Sequence, residues 1–186
     1  MSGGVLLSKP VIITFSGKAR HGKDSSVKTL KSLLERQDKR VLSVNYADYL
    51  KYLAKQYFGW DGNKDKQGRT KLQRIGTEKV RARFPDFWVN SVINIVKIFE
   101  GDFDYILIGD CRFPNEINRW KEEGYEIIPL HVERLDFDNG LTQGQKNHLS
   151  ETALSNFKFD MYLKARDLKE LEENITMRIL PLLNGG

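Results

Sequence analysis

Two glycines and a lysine stand in the order Gly17, four residues, Gly22, Lys23 inside the stretch "FSGKARHGKDSS". Glycine lets a backbone come close to an anion, and successive N–H groups ending at a helix N-terminus form a nest for it. The apolar run "VIITFS" precedes the stretch and the helically spaced "DSSVKTLKSLLERQ" follows it, so the spacing is that of a phosphate-binding loop. Gly17, Lys18, Ala19, Arg20, His21, Gly22, Lys23, Asp24 and Ser25 are therefore candidates for holding ATP, with Lys23 reaching the β- and γ-phosphates. The bland alternative is a glycine turn whose lysines lie in solvent.

Asp24 occupies the place where such loops carry the hydroxyl that ligates magnesium. Magnesium takes oxygen ligands and keeps several waters, so Asp24 can act through water while Ser25 supplies a hydroxyl. Equally, Asp24 can do no more than cap the helix or complement its dipole. Lys18, Arg20 and His21 add charge that a phosphate loop does not need. They point either to a demanding anionic transition state or to ordinary surface charge. Asp110 ends the apolar run "YILIG", where it can meet magnesium or its waters, or cap the next helix. Arg112 follows two residues on and can grip a phosphate bidentately, or pair with Glu116. Cys111 beside them reads as a small packing residue.

Strands and helices must bring these residues together. The sequence predicts strands at 11–16, 40–47, 104–110, 126–133 and 159–165, with helices over 24–37, 48–60, 70–83, 87–100, 115–124 and 168–183. Pro129 marks the fourth strand for an edge or a bulge. Residues 61–69 read as a surface loop and 134–148 as a polar, mobile segment. Strands alternating with helices predict an α/β fold, a parallel sheet covered on both faces with its ligands at the carboxyl ends of the strands.

The chain has 186 residues, enough for one domain with a substantial core. Its net charge of +5 suits a polyanionic ligand, either nucleic acid or a small phosphate ester. The basic residues are scattered, without a basic tail or an RNA-recognition signature, so no nucleic-acid partner is expected. A single cysteine excludes an internal disulfide and fits a reducing cytoplasm. No apolar run approaches a membrane span, and "MSGGVLLSKP" has no signal-peptide pattern, so no membrane partner is expected either.

Four further stretches, "YADYLKYLAKQYFGW" (46–60), "KLQRIGTEKVR…PDFWV" (71–89), "ILIGDCRFPNEI" (106–117) and "HLSETAL" (148–154), join "GKARHGKDSS" in one succession. This succession resembles the bacteriophage deoxynucleoside monophosphate kinases over most of the chain. The G-K-D loop is also similar to that of animal-type phosphomevalonate kinase. The resemblance implies a three-layer, nucleoside-monophosphate-kinase-like P-loop fold with a five-stranded parallel sheet. It also implies a helical acceptor region at about 47–100 and a short lid at about 134–148.

The implied activity is transfer of the ATP γ-phosphate to a deoxynucleoside 5′-monophosphate with magnesium, in the host cytoplasm. A homodimer is left open. The implied acceptor residues are Asp48, Lys51, Arg74, Trp88 and Arg112, with Phe87 and Trp88 free either to stack on the base or to pack in the core. The implied metal residues are Asp24, Ser25 and Asp110. The implied catalytic set is Lys23, Arg20, Arg112, Asp110 and the lid's Arg134. The lid is poor in arginine, and the resemblance leaves Lys18 and Arg20 to supply charge from the opposite side. The competing readings are a kinase of another small phosphorylated acceptor, such as phosphomevalonate, and a P-loop module that binds nucleic acid without catalysis.

Overall fold

The computed structural model of the chain describes residues 8–184; most of the opening segment and the closing glycines lie outside these residues. Strand β1 (Val11–Ser16) passes through the glycine loop into helix α1 (Lys23–Glu35). After β2 (Val41–Val44) come α2 (Ala47–Tyr57), α3 (Lys66–Gln73), a π-helical stretch (Arg74–Arg81) and α4 (Phe87–Ile98). Strand β3 (Tyr105–Cys111), α5 (Asn115–Glu122) and β4 (Ile127–Arg134) follow. Two short helices, α6 (Gln143–Lys146) and α7 (Leu149–Thr152), lead to β5 (Met161–Ala165). The chain then runs through α8 (Leu168–Asn174), a second π-helical turn (Ile175–Ile179) and α9 (Leu180–Asn184).

All five strands are parallel, in the order β2-β3-β1-β4-β5. A parallel sheet must be covered on both faces, which is why β1 and β3 are almost continuously apolar. Successive side chains divide between two cores. Ile12, Ile106, Ile108 and Ile127 face Leu50, Trp88, Val92, Val96 and Trp120 from α2, α4 and α5. Ile13, Phe15, Leu107, Leu130, Val132 and Leu163 face Val27, Leu30 and Leu34 of α1, together with Leu171, Ile175 and Ile179. The result is a three-layer α/β fold with β1 at the centre, so the loops leaving β1 and β3 emerge side by side. The register between these two strands slips by one residue between Thr14 and Ser16, where both release their loops.

Pro129 is neither at an edge nor at a bulge: it lies in β4, paired with Thr14 in the middle of the sheet. The β4–β5 ladder begins only at Leu130, and the Pro129 carbonyl accepts the N–H of Asp160 at 3.2 Å. A residue's N–H and C=O point to the same side of an extended strand. The missing donor therefore falls where β5 has not yet begun, and the pairing with β1 is intact.

Two segments that read as loops carry helices. Thr142 and Gln145 form a reciprocal capping box that starts α6 inside the polar 134–148 segment. Asp65 starts α3 early by accepting the Gly68 N–H at 2.7 Å. Gly68 sits inside α3 because a neighbour passes close by. A Cβ there would lie 1.9 Å from the Asn63 carbonyl oxygen and 2.8 Å from Trp60 Nε1. Gly76, in the π-helical stretch, is also closely approached, but by a side chain: a Cβ there would meet Leu50 Cδ2 at 2.6 Å, which a change of the Leu50 rotamer could relieve.

In an ordinary helix interior Gly→Ala is stabilising by about 1 kcal/mol. At Gly68 the sign should reverse, because the clash is with backbone. Gly68→Ala should destabilise the protein by about 1–3 kcal/mol, read as a lower midpoint in urea unfolding. An unchanged or higher midpoint would show that the Asn63 turn yields freely.

Candidate active site

The glycine loop is shaped by its neighbours. Gly17 has φ 138°, and a Cβ on it would be 2.2 Å from the Val132 carbonyl oxygen, so no side chain fits there. Gly22 is the N-cap of α1 in the left-handed region and offers no capping side chain. The first intrahelical bond runs from Ser26 N–H to Gly22 O at 2.8 Å, so the α1 N-terminus points its earlier N–H groups along the loop. Asp24 lies in that first turn without capping the helix. Ser26 is turned inward, with its hydroxyl on Gly22 O at 3.0 Å, and Ser25 lies in the first turn outside the cavity lining.

Lys23 is 8 % exposed, and its ammonium donates to Gly17 O and Lys18 O, each at 2.8 Å. Burial, and then the Arg112 guanidinium, push its pKa down to about 8; Glu151, Asp24 and Asp110 oppose them. Arg20 sits at φ 66° and donates to the carbonyl of Asn139 at 3.0 Å, so its guanidinium meets the 134–148 segment. His21 joins the loop to β4: its Nδ1 accepts the Arg134 N–H at 3.0 Å, and burial and the nearby Lys23 lower its pKa.

The end of β3 is a set of paired charges. Asp110 accepts the N–H groups of Tyr46 and Ala47, both at 2.9 Å, and thereby caps α2 from across the sheet rather than capping α5. Burial raises its pKa against those two donors and against Lys51 and Arg112. Glu116, 3 % exposed, accepts the N–H of Arg112 at 2.7 Å and of Phe113 at 3.1 Å, and forms an ion pair with Arg81. Burial pushes Glu116 up to about 7 against the Arg81 charge and those donors. The Arg112 side chain does not pair with Glu116. It pairs with Glu151 and donates to Ser150 O at 3.2 Å. Cys111 is buried.

Many of these groups border a cavity of about 470 Å³, whereas Gly17, Lys18 and Cys111 line a neighbouring one of about 340 Å³ and His21 and Gly22 line neither. Ala19, Arg20, Lys23 and Asp24 line the larger cavity on the loop side, with Asp110 and Arg112 at the end of β3. Opposite stand Lys51, Arg69, Gln73, Thr77, Arg81 and Trp88. Arg74 and Asp48 are not in the lining. Asp48 instead holds Lys51 in an ion pair at 2.7 Å. Arg74 is exposed at the start of the π-helical stretch. Arg69, Gln73, Thr77 and Arg81 recur every four residues, and the wider π turn keeps that spacing on one face. The four-residue recurrence is the signal in the sequence that would have found Arg69 and Arg81.

Arg134 does not reach the cavity either. Alternation along β4 places it on the side of Leu130 and Val132, where its guanidinium lies 4.1 Å from the Phe137 ring centroid. Trp88 is 4 % exposed, with Nε1 donating to Gly76 O at 3.0 Å, so it is a core residue whose edge alone borders the cavity. Phe87 joins Tyr49 and Tyr52 in an exposed aromatic cluster outside the lining.

The residues fit magnesium. Asn45 and Asp24 both border Gly109, next to Asp110: a Cβ on Gly109 would lie 3.2 Å from Asn45 Oδ1 and 3.9 Å from Asp24 Oδ1. The donors are all oxygen, as magnesium requires. Among the described residues no group of three or more His, Cys, Asp or Glu forms a self-sufficient metal cage. That suits an ion held by one or two carboxylates together with phosphate oxygens and water.

No protein-family model and no curated protein sequence matches the chain. Solved structures do resemble it. APE1195 superposes with a TM-score of 0.53 and 16 % identity, over 95 % of this chain and 96 % of that one. A variant of the Mycobacterium tuberculosis APS kinase CysC gives 0.51 and 8 %, over 92 % and 98 %. The same kinase in complex with AMPPNP and APS gives 0.50 and 9 %, over 92 % and 98 %. At such identities the likeness is one of fold, and it agrees with the three-layer parallel sheet described above.

The buried Lys23 makes stability depend on pH. Its folded pKa, about 8, lies below the ordinary lysine value. The unfolded chain therefore holds more protons between the two values, and stability rises with pH across that window. Lys23→Met should stabilise the ligand-free protein by on the order of 2–3 kcal/mol below pH 8, and the gain should shrink as pH rises above it. Urea unfolding of both proteins at several pH values reads the difference. A gain independent of pH would show that Lys23 is not strained by its burial.

Proposed function

We propose that the chain is an ATP-dependent kinase that transfers the γ-phosphoryl group to a deoxynucleoside 5′-monophosphate. The observation that carries this reading is the cavity bordered by the glycine loop and Arg112 on one side and by Lys51, Arg69 and Arg81 on the other. Phosphoryl transfer asks a protein mainly for positioning and for charge on the equatorial oxygens. An acceptor that itself carries a phosphate needs cations on its own side of the cavity, and they are there. Gln73 and Thr77 offer polar atoms to a base beside the edge of Trp88. A cavity of about 470 Å³ is of the size that takes a nucleotide-scale ligand.

Magnesium, when bound, would neutralise charge between donor phosphates. Asp24 and Asp110 would hold it directly or through water, with Asn45 beside them. Lys23 would turn from the loop carbonyls to the donor phosphates, and Arg20 would supply charge from the loop. A neighbour of the same fold is a kinase that binds AMPPNP together with the nucleotide APS, which supports a nucleotide acceptor. The stretches "YADYLKYLAKQYFGW" and "ILIGDCRFPNEI", with their resemblance to the bacteriophage enzymes, favour a deoxynucleoside monophosphate, and with it a role in the host cytoplasm.

The test is ADP release from ATP and magnesium across all dNMPs and NMPs, with APS and mevalonate phosphate as competing acceptors. Turnover with at least one dNMP, and not with mevalonate phosphate, is expected. Turnover confined to APS or mevalonate phosphate would reject the proposed acceptor while leaving a kinase.

Arg69 and Arg74 separate the two faces of the helical region. Losing a charged hydrogen bond to the acceptor phosphate costs about 1.5–3 kcal/mol. Arg69→Ala should therefore lower acceptor kcat/KM roughly ten- to hundredfold, whereas Arg74→Ala should leave it near wild type. Equal losses in both variants would place the acceptor elsewhere.

A further inference from the structure

Glu151 carries a negative charge into the middle of the cationic site. Its Oε2 accepts the N–H of Ala19, inside the glycine loop, at 3.1 Å. Its Oε1 pairs with Arg112 Nη1, and the side chain is 6 % exposed. Lys23, meanwhile, is satisfied by the carbonyls of Gly17 and Lys18. A loop N–H, a guanidinium and an ammonium are the donors that a triphosphate needs, and here the chain supplies the partner of each.

A carboxylate oxygen accepting from a loop N–H and an arginine has the chemistry of a phosphate oxygen. Two anions cannot share those donors, because like charges at contact repel strongly. Glu151 and the donor's phosphate are therefore alternatives. Glu151 belongs to the four-residue helix α7, whose start is capped by His148 through the N–H of Ser150 at 3.2 Å. Arg112, Ser150 and Glu151 border both the 470 Å³ cavity and a second one of about 340 Å³, so this contact is the partition between the two.

We propose that Glu151 is a latch that holds the phosphate site in a self-paired state. It competes with the donor's phosphate for Ala19 N–H and Arg112, and its expulsion on donor binding releases Arg112 toward the reacting phosphates. The inference rests on the donor-site reading of the preceding subsection and adds its regulation. A carboxylate that only braced the loop would stay on Ala19 N–H and Arg112 when the donor binds, and exchange over 148–152 would then not rise.

The experiment uses the full chain and inorganic tripolyphosphate with magnesium, a probe that has the donor's charge and no base. Glu151→Gln keeps the shape and an acceptor oxygen for Ala19 but removes the charge. Calorimetry should show tripolyphosphate binding to Glu151→Gln roughly ten-fold or more tighter than to wild type, because the competing state is no longer favoured. In the wild-type protein, tripolyphosphate should raise amide hydrogen exchange over 148–152 while protecting 17–23.

Equal or weaker binding by a folded Glu151→Gln overturns the latch and leaves the donor site standing. Failure of both proteins to bind tripolyphosphate or ATP overturns the donor site and the latch together. If Glu151→Gln does not fold, the wild-type exchange measurement decides alone, and unchanged or slower exchange over 148–152 overturns the latch.

Discussion

Like charges crowd the carboxyl end of the sheet, and the surrounding structure is arranged around holding them there. Lys23, Arg81 and Arg112 all border one cavity, and the first two are almost wholly buried. Removing such charges from water is costly unless each is paired. Arg81 has Glu116, Arg112 has Glu151, and Lys23 has two loop carbonyls. Repulsion between Arg112 and Lys23 persists and is part of why Lys23 holds its proton less tightly than an ordinary lysine.

Glu116 is the joint of this arrangement. One carboxylate takes the N–H groups at the turn between β3 and α5 and the guanidinium of the π-helical stretch. It thus ties the strand that delivers Asp110 and Arg112 to the helical region that delivers Arg69 and Arg81. Arg81 is further held 3.8 Å from the Phe113 ring centroid, so its direction is set on two sides. Asp110 does the same for α2, where Tyr46 is locked by its hydroxyl on Glu116 O at 2.6 Å and by Trp120 Nε1 at 2.7 Å. The walls of the cavity are positioned by buried polar contacts, whereas the two apolar cores set only the distance between layers.

The central place of β1 explains why the glycine loop and the residues that end β3 meet at one cavity. With β3 on one side and β4 on the other, the glycine loop emerges between the turn that carries Arg112 and the strand end that carries Arg134. Alternation then sorts the two: Asp110 lies on the α2 side, and Arg134 on the side of α1 and α8. Arg20 and Arg112 therefore border the cavity, and Arg134 does not.

The sequence by itself determined the glycine loop between strand and helix, the alternation of strands and helices, and the parallel sheet. Each of these is written in short-range periods: Gly17 to Lys23, the apolar run of β1, the helical spacing of Val27, Leu30 and Leu34. Asp110 and Arg112 were legible too, because a charge that ends a buried strand has to emerge at the sheet's carboxyl edge. Only the tertiary structure decided who pairs with whom. Arg81 meets Glu116 across 35 positions and Ala19 meets Glu151 across 132, and no local period encodes such distances. The same limit hid the face of the helical region. The π-helical stretch leaves Arg74 exposed and brings Arg81 to the cavity, which Arg69 reaches from α3; within that stretch Gly76 packs against Leu50 and its carbonyl accepts the Trp88 Nε1–H. Periodicity fixes what a segment becomes, but the partners of a buried charge depend on which segments the fold brings to the same point.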